Sequence, residues 1–325
     1  MELPVKEFIE KKYTPLEIGP INRLAEKDPT LLVQMSEEYH QRQVNAAATA
    51  ICENPKFKFV LLCGPSASGK TTTAHKIKQA IRERGVGARV VSMDDFFMGK
   101  DNYPLREDGK PDFESVKAMD ICHLNECYRE LMETGKSNFP TYDFTSGKQL
   151  RGTHPIELGP GDILILEGIH ALNPEVLADI PRENVFRLYV SVRTKFKCGD
   201  EVILIPKDIR LMRRLVRDNN FRNYPPLSTL EQWAYVLAGE KVNIDPYRDE
   251  VNMKMDNTID YEVCVWHDML QGLLGSERRA EYERFVEIDR IFKALTRFPK
   301  IDHELIPQDS LLREFIGDGV PKSLD

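Results

Sequence analysis

The chain has no apolar run near the roughly 20 residues that a membrane-crossing helix needs, and its start, MELPVKEFIEKKY, carries no apolar signal core. It also lacks an excess of positive charge: 45 Lys and Arg stand against 52 Asp and Glu, a formal net charge of −7. That balance argues against a surface built to coat nucleic acid, which needs clustered cations to neutralise phosphates. Cysteine is sparse and scattered. None of Cys52, Cys63, Cys122, Cys127, Cys198 and Cys264 forms a C-x-x-C pair, so buried free thiols in a reducing cytosol are expected. Seven histidines without an H-x-x-x-H spacing give no sign of a transition-metal site. There are no repeats and no low-complexity tracts. These absences lead to the expectation of a cytoplasmic protein without membrane or nucleic-acid partners, with homo-oligomerisation left open.

What is present is the run GPSASGKTT at 64–72, directly after the apolar FKFVLLC. A glycine-rich turn between a strand and a helix aims several backbone N–H groups at one spot, which holds phosphate. Gly64, four intervening residues, then Gly69, Lys70 and Thr71 fit the phosphate-loop spacing. Gly64, Ser66, Ala67, Ser68, Gly69, Lys70, Thr71 and Thr72 therefore form the expected cradle for a nucleoside triphosphate. Lys70 would reach the β and γ phosphates, and the Thr71 hydroxyl would ligate Mg²⁺.

Apolar strand-like runs alternate with helical stretches: FKFVLLC, ARVVSM, DILIL, 186–192 and YEVCVW at 261–266 read as strands. Residues 30–52, 73–84, 115–132, 208–218, 228–238 and 276–295 read as helices. The alternation predicts an α/β fold, a P-loop NTPase three-layer sandwich with a mainly parallel sheet and helical extensions at both ends. The expected division is a helical N-terminal extension over 1–55, a P-loop domain over 56–270, and a C-terminal helix and tail over 271–325 packed on it.

Phosphoryl transfer needs a metal site, positive charge over the phosphates and a group that orients the nucleophile. Asp94 and Asp95 end the strand ARVVSM, and strand carboxyl ends face the ligand crevice of an open parallel sheet. Asp94, first after the strand, is the expected base; Asp95 would cap the next turn. Glu167 ends DILIL and suits the metal, an activated-water role being its rival. Arg210, Arg213, Arg214 and Arg217 share one helix face, and Arg222 follows. Arg217 and Arg222 are expected to act as lid arginines on the transferring group, with Arg213 a weaker nucleotide contact. Phe113, Glu114, Tyr142, Phe144 and His170 are the candidates for a second substrate. For Phe113 and Phe144 a place in the core is the competing reading, and for His170 a bond to a local carbonyl. The segment NMKMD has Met where the guanine-reading signature needs Asn or Thr, which argues against a GTPase.

GPSASGKTT, VSMDDFF, PTYDF, ILILEGIHALNP and RLMRRLVRD, in this order, resemble the uridine kinase and phosphoribulokinase family over about 57–270. SLLREFIG and TLEQWAYVLAGEKVNIDPY resemble its larger bacterial uridine kinase-like members. Those members often carry a TGS region that the roughly 55 residues ahead of the kinase motifs here do not contain. The resemblance implies ATP and Mg²⁺ as cofactors, Asp94 as the carboxylate that activates a nucleoside 5′-hydroxyl, and Glu167 on the metal side. It also implies Tyr142 and Phe144 near the base and Arg217 and Arg222 in the lid. Two departures touch the acceptor: Glu114 stands where the family has a ribose-holding Asp, and TSGKQ, with Gly147, replaces a region that often holds a base-contacting His. A third is VILIPKD ahead of the basic helix, where the long relatives tend to have Asn-Arg-Ile. The implied activity is transfer of the ATP γ-phosphoryl group to the 5′-hydroxyl of uridine or cytidine. The alternatives are kinases of a sugar, polyol or pantothenate-like alcohol, and a nucleotide-dependent switch.

Overall fold

In the run FVLLC every side chain is buried, because both faces of this strand are covered. The computed structural model describes residues 15–99, 102–143, 146–275, 279–282 and 284–317. Its main sheet has five parallel strands, in the order Met253–Asp256, Val185–Ser191, Phe59–Cys63, Ile163–Gly168 and Ala88–Ser92. Phe59, Leu61 and Cys63 pack on one face with Leu124, Tyr128 and Leu131 of the helix Ile121–Thr134. Val60 and Leu62 pack on the other with Val44, Ala47 and Ile51 of the helix Pro29–Cys52 and with Ala74 and Ile77 of Lys70–Arg82. Side chains of period two thus feed two apolar layers from one continuous apolar run. A third core joins the basic helix Pro206–Arg222 to Pro226–Asn243, Glu262–Leu274, Val286–Leu295 and the tail through Phe315. A small sheet (Leu16–Glu17, Phe196–Cys198, Glu201–Leu204) lies beside this core.

The structure departs from the sequence reading in four places. The run YEVCVW is not the last strand: residues Glu262–Leu274 are helical, and the last strand is Met253–Asp256. Glu262 through Trp266 are all buried, so no polar face betrays the helical period. The charged stretch 276–295 holds two helices, Arg279–Tyr282 and Val286–Leu295, with Phe285 extended between them (φ −100°, ψ 102°). The helix expected from 115 begins at Ile121, where the Asp120 carboxylate accepts from the His123 N–H at 3.1 Å. Lys136–Asp143 and Lys148–Glu157 form an antiparallel hairpin whose second strand is largely exposed.

Candidate active site

Gly64 and Gly69 decide the shape of the loop after Phe59–Cys63. A Cβ on Gly64 would meet the Val190 carbonyl oxygen at 2.0 Å, and Gly69 has φ +83°. Only glycine fits the first approach, and the second is a left-handed conformation that other residues resist. The helix Lys70–Arg82 starts directly after Gly69, so the N–H groups of its first turn face the crevice at the strand ends. Lys70 curls back over the loop, its Nζ donating to the Pro65 carbonyl at 3.2 Å.

Glu167 lies beside Ser92 and Leu62 in the parallel register. Its Oε1 accepts from Thr71 Oγ1 at 3.1 Å and from Ser92 Oγ at 3.0 Å. Burial pushes its carboxyl up, the Lys70 charge opposes this, and Asp94 and Glu314 add to it. A buried carboxylate that shares an oxygen with the Thr71 hydroxyl is a donor set that fits Mg²⁺, a hard cation. The Ser92 hydroxyl also accepts from the Asp94 N–H at 3.3 Å, which starts the turn Met93–Phe96. Asp94 is close enough to raise Glu167, Asp95 and Tyr103 electrostatically and to act on Arg222. Asp95 does not cap that turn. Its Oδ1 accepts from the Tyr142 N–H at 3.1 Å and so ties the hairpin to the sheet edge.

The basic helix holds the loop from behind, and here the expectation for Arg213 is corrected. Arg213 is fully buried; it donates to Glu262 through Nε (2.7 Å) and Nη2 (2.8 Å), to the Asn257 carbonyl (2.7 Å) and to the Ala67 carbonyl (3.4 Å). A guanidinium spent in this way braces the loop and does not face a nucleotide. The helical spacing of the arginines set which face they share, not how deeply the third core covers it. Arg210 and Arg214, not singled out for contact from the sequence, do similar work. Arg210 Nε donates to the Ser66 carbonyl at 2.9 Å while the fork binds Glu240 at 2.8 and 2.7 Å; Arg214 Nη1 donates to Ser66 Oγ at 2.9 Å. Asn257 was missed as well: its Nδ2 donates to the Ser68 carbonyl (2.9 Å) and to Thr73 Oγ1 (2.8 Å). No short motif marks it, since it enters from the loop after the last strand. Arg213→Met should destabilise the fold by about 3–5 kcal/mol, because it strands Glu262 as an uncompensated buried charge. Denaturant unfolding checks this, and an unchanged midpoint would refute the bracing role.

Arg217 and Arg222 share one counter-ion. Arg217 donates to Asp218 Oδ1 through Nε (3.0 Å) and Nη2 (2.7 Å), and Arg222 Nε stands 3.8 Å from the same oxygen. Arg214 Nε lies 3.2 Å from Asp218 Oδ2, and these arginines hold the Asp218 carboxyl below its usual range against the effect of its burial.

Of the acceptor candidates, Phe113 is exposed and not core; its ring meets Tyr103 edge-on at 4.9 Å. The Tyr103 and Tyr142 hydroxyls are 2.5 Å apart, and Phe97 packs on both rings, which makes an aromatic wall near Asp94. Glu114 backs onto Gly239, where any Cβ would lie 2.3 Å from the Glu114 Cβ. Burial pushes the Glu114 carboxyl up to about 7, opposed by Arg214 and Lys70. His170 is buried and neither ring nitrogen has a partner among the described residues, so it satisfies no local carbonyl. Burial, with the Lys70 charge adding to it, pulls its pKa down to about 4, so the ring is neutral. Phe144 lies outside the described residues.

The sequence model of the Phosphoribulokinase / Uridine kinase family matches residues 59–260. The chain belongs to this family. Among curated proteins, it is similar to a uridine kinase of Lactobacillus johnsonii, 31% identical over 172 residues, 53% of this chain and 72% of that protein. It is also similar to uridine kinase-like protein 5 of Arabidopsis thaliana, 28% identical over 230 residues, 69% of this chain and 44% of that protein. Among solved structures, a D-glycerate 3-kinase from Cryptococcus neoformans superposes with a TM-score of 0.35 and 14% identity, over 87% of this chain and 90% of that one. The family member described here is an ATP-dependent phosphotransferase with an alcohol acceptor, on an α/β P-loop fold. Among the described residues, no helix is long and apolar enough to cross a membrane.

Proposed function

We propose that this kinase transfers the γ-phosphoryl group of ATP to the 5′-hydroxyl of uridine or cytidine. The observation that carries the reading is the place of Asp94. It lies in the turn Met93–Phe96, directly after the strand Ala88–Ser92, within electrostatic reach of Glu167 and Arg222, and beside the aromatic wall. Asp94 would accept the proton of the acceptor hydroxyl. Lys70, with the N–H groups of residues 66–72, would hold the phosphates, and Arg217 and Arg222 would leave Asp218 to meet the transferring group. Thr71 and Glu167 would hold Mg²⁺, which when bound neutralises charge on the phosphate oxygens. Tyr142, Phe113, Phe144 and Glu114 would line the acceptor site, with His170 beneath it. The segments before 56 and after 270 would fold with the kinase core, since the third core runs from Ile18 to Phe315.

A second reading, a kinase of another alcohol, draws on Glu114 and Gly147, which depart from the residues a ribose and a base would meet. A screen of nucleosides, sugars and polyols with ATP-Mg²⁺ separates the two. ADP formed in step with uridine or cytidine alone supports the first; ADP formed only with a different alcohol supports the second. ADP formation that ignores every alcohol would sink both.

Glu114→Gln should raise the acceptor KM several-fold and leave the ATP KM unchanged. Because the Glu114 carboxyl is raised to about 7, its charged form grows as pH increases through that value. The wild-type acceptor KM should therefore fall between about pH 6 and about pH 8, while the Gln variant stays flat. A wild-type profile retained in the variant would place the acceptor elsewhere.

A further inference from the structure

The phosphate loop already holds an anion from its own chain. Glu314, in the short helix Arg313–Ile316, points one carboxylate oxygen at the first turn of Lys70–Arg82. That oxygen, Oε2, accepts from the Thr72 N–H at 3.1 Å and from Thr72 Oγ1 at 2.7 Å. A backbone N–H and a hydroxyl converging on one anionic oxygen at a helix N-terminus is how such a loop receives phosphate. The neighbouring contact is close too: a Cβ on Gly69 would meet Leu311 Cδ1 at 2.5 Å. The negative charge of Glu314 is felt at the metal-side carboxylate, where it helps to raise Glu167.

The segment is anchored on either side of Glu314. Leu311, Leu312 and Phe315 are fully buried in the third core. Ser310 Oγ donates to Glu37 Oε1 at 2.5 Å, and Tyr261 donates to the same oxygen at 2.8 Å, which ties the tail to the helix Pro29–Cys52. Arg313 donates to the Ile306 carbonyl at 2.6 Å, and Asn220 of the basic helix to the Ile316 carbonyl at 3.3 Å. Glu314 itself is only half-buried. Its position is therefore set by a scaffold built from Glu37, Asn220, Tyr261 and the buried residues of 310–316, of which only Asn220 lies within the 59–260 that match the family.

We propose that Glu314 is an internal ligand of the phosphate loop, one that a nucleotide phosphate must displace to reach Thr72. Two anions cannot share these donors, because like charges a few ångströms apart repel strongly where little water screens them. Glu314 thereby sets nucleotide affinity: the site gives up one charge-assisted contact for each phosphate contact it gains at Thr72. The inference rests on the phosphate-loop reading above and adds to it a residue that opposes binding.

Titration calorimetry of the full chain with ATP-Mg²⁺ tests it. Glu314→Gln removes the charge at nearly constant size, and Glu314→Ala leaves the Thr72 donors open. Both should lower the ATP Kd by roughly tenfold, the worth of one charge-assisted hydrogen bond. Hydrogen exchange at residues 313–317 of the wild type should speed up when ATP binds, as Glu314 leaves its place. Equal or weaker ATP binding by both variants, or slower exchange at 313–317 with ATP, overturns the internal ligand and leaves the nucleotide site standing. No ATP binding by the wild type and both variants overturns the two together.

Discussion

Lys70→Ala is expected to cut phosphoryl transfer roughly 100- to 1000-fold, the usual loss when one donor to a developing anion is removed. Lys70 is the first residue of its helix, and its Nζ now rests on the Pro65 carbonyl at 3.2 Å. A neutral carbonyl is a weaker partner than phosphate, so the side chain is free in energy terms to exchange one for the other. Its charge also opposes the burial of Glu167 and of Glu114 and helps to keep His170 neutral. The contact with phosphate strengthens as the γ group transfers, so the loss should fall on kcat more than on KM. The measurement is steady-state turnover with the best acceptor, on a variant shown by circular dichroism to be folded. Near-normal turnover in that folded variant would remove the basis for a triphosphate site here.

Asp94→Asn should lower kcat by roughly 100-fold or more while ATP affinity changes little, since a positioned base is worth about that much. The substitution keeps the size and removes the charge that acts on Glu167 and Arg222. Asp95→Asn should do less. The neighbouring carboxyl accepts the Tyr142 N–H at 3.1 Å, and burial raises it to about 6. An amide oxygen can accept the same bond without the cost of a buried charge. Comparison of kcat for both variants at saturating ATP-Mg²⁺ tests the assignment. A full-rate Asp94→Asn enzyme, or a greater loss for Asp95→Asn, would falsify Asp94 as the base.

The family, the α/β P-loop fold and the reaction class were all legible in the chain, because each rests on local order. A phosphate loop is contiguous: strand, glycine turn and helix lie within Phe59–Arg82, and the glycine conformations it needs are written in the residue types. Buried parallel strands are continuous apolar runs, which is why FVLLC and ILIL could be read as such. Where burial surrounds a helix, the same signal misleads, as it did for YEVCVW.

Depth, pairing and long-range contact were decided by tertiary structure alone. Spacing placed Arg210, Arg213, Arg214 and Arg217 on one face, but it could not tell bracing from contact. Glu262, 49 residues further on, claims Arg213, Glu240 claims Arg210, and Asp218 collects Arg214 and Arg217. The contact of Glu314 with Thr72 joins residues 242 apart, and Glu37 meets Ser310 across 273. No period or motif encodes such pairs. They arise when apolar packing of Leu311, Leu312 and Phe315 sets Ser310 against Glu37 and Glu314 against the phosphate loop. Local residue types therefore determined what the site is made of, and packing determined which of those side chains remain available to a ligand.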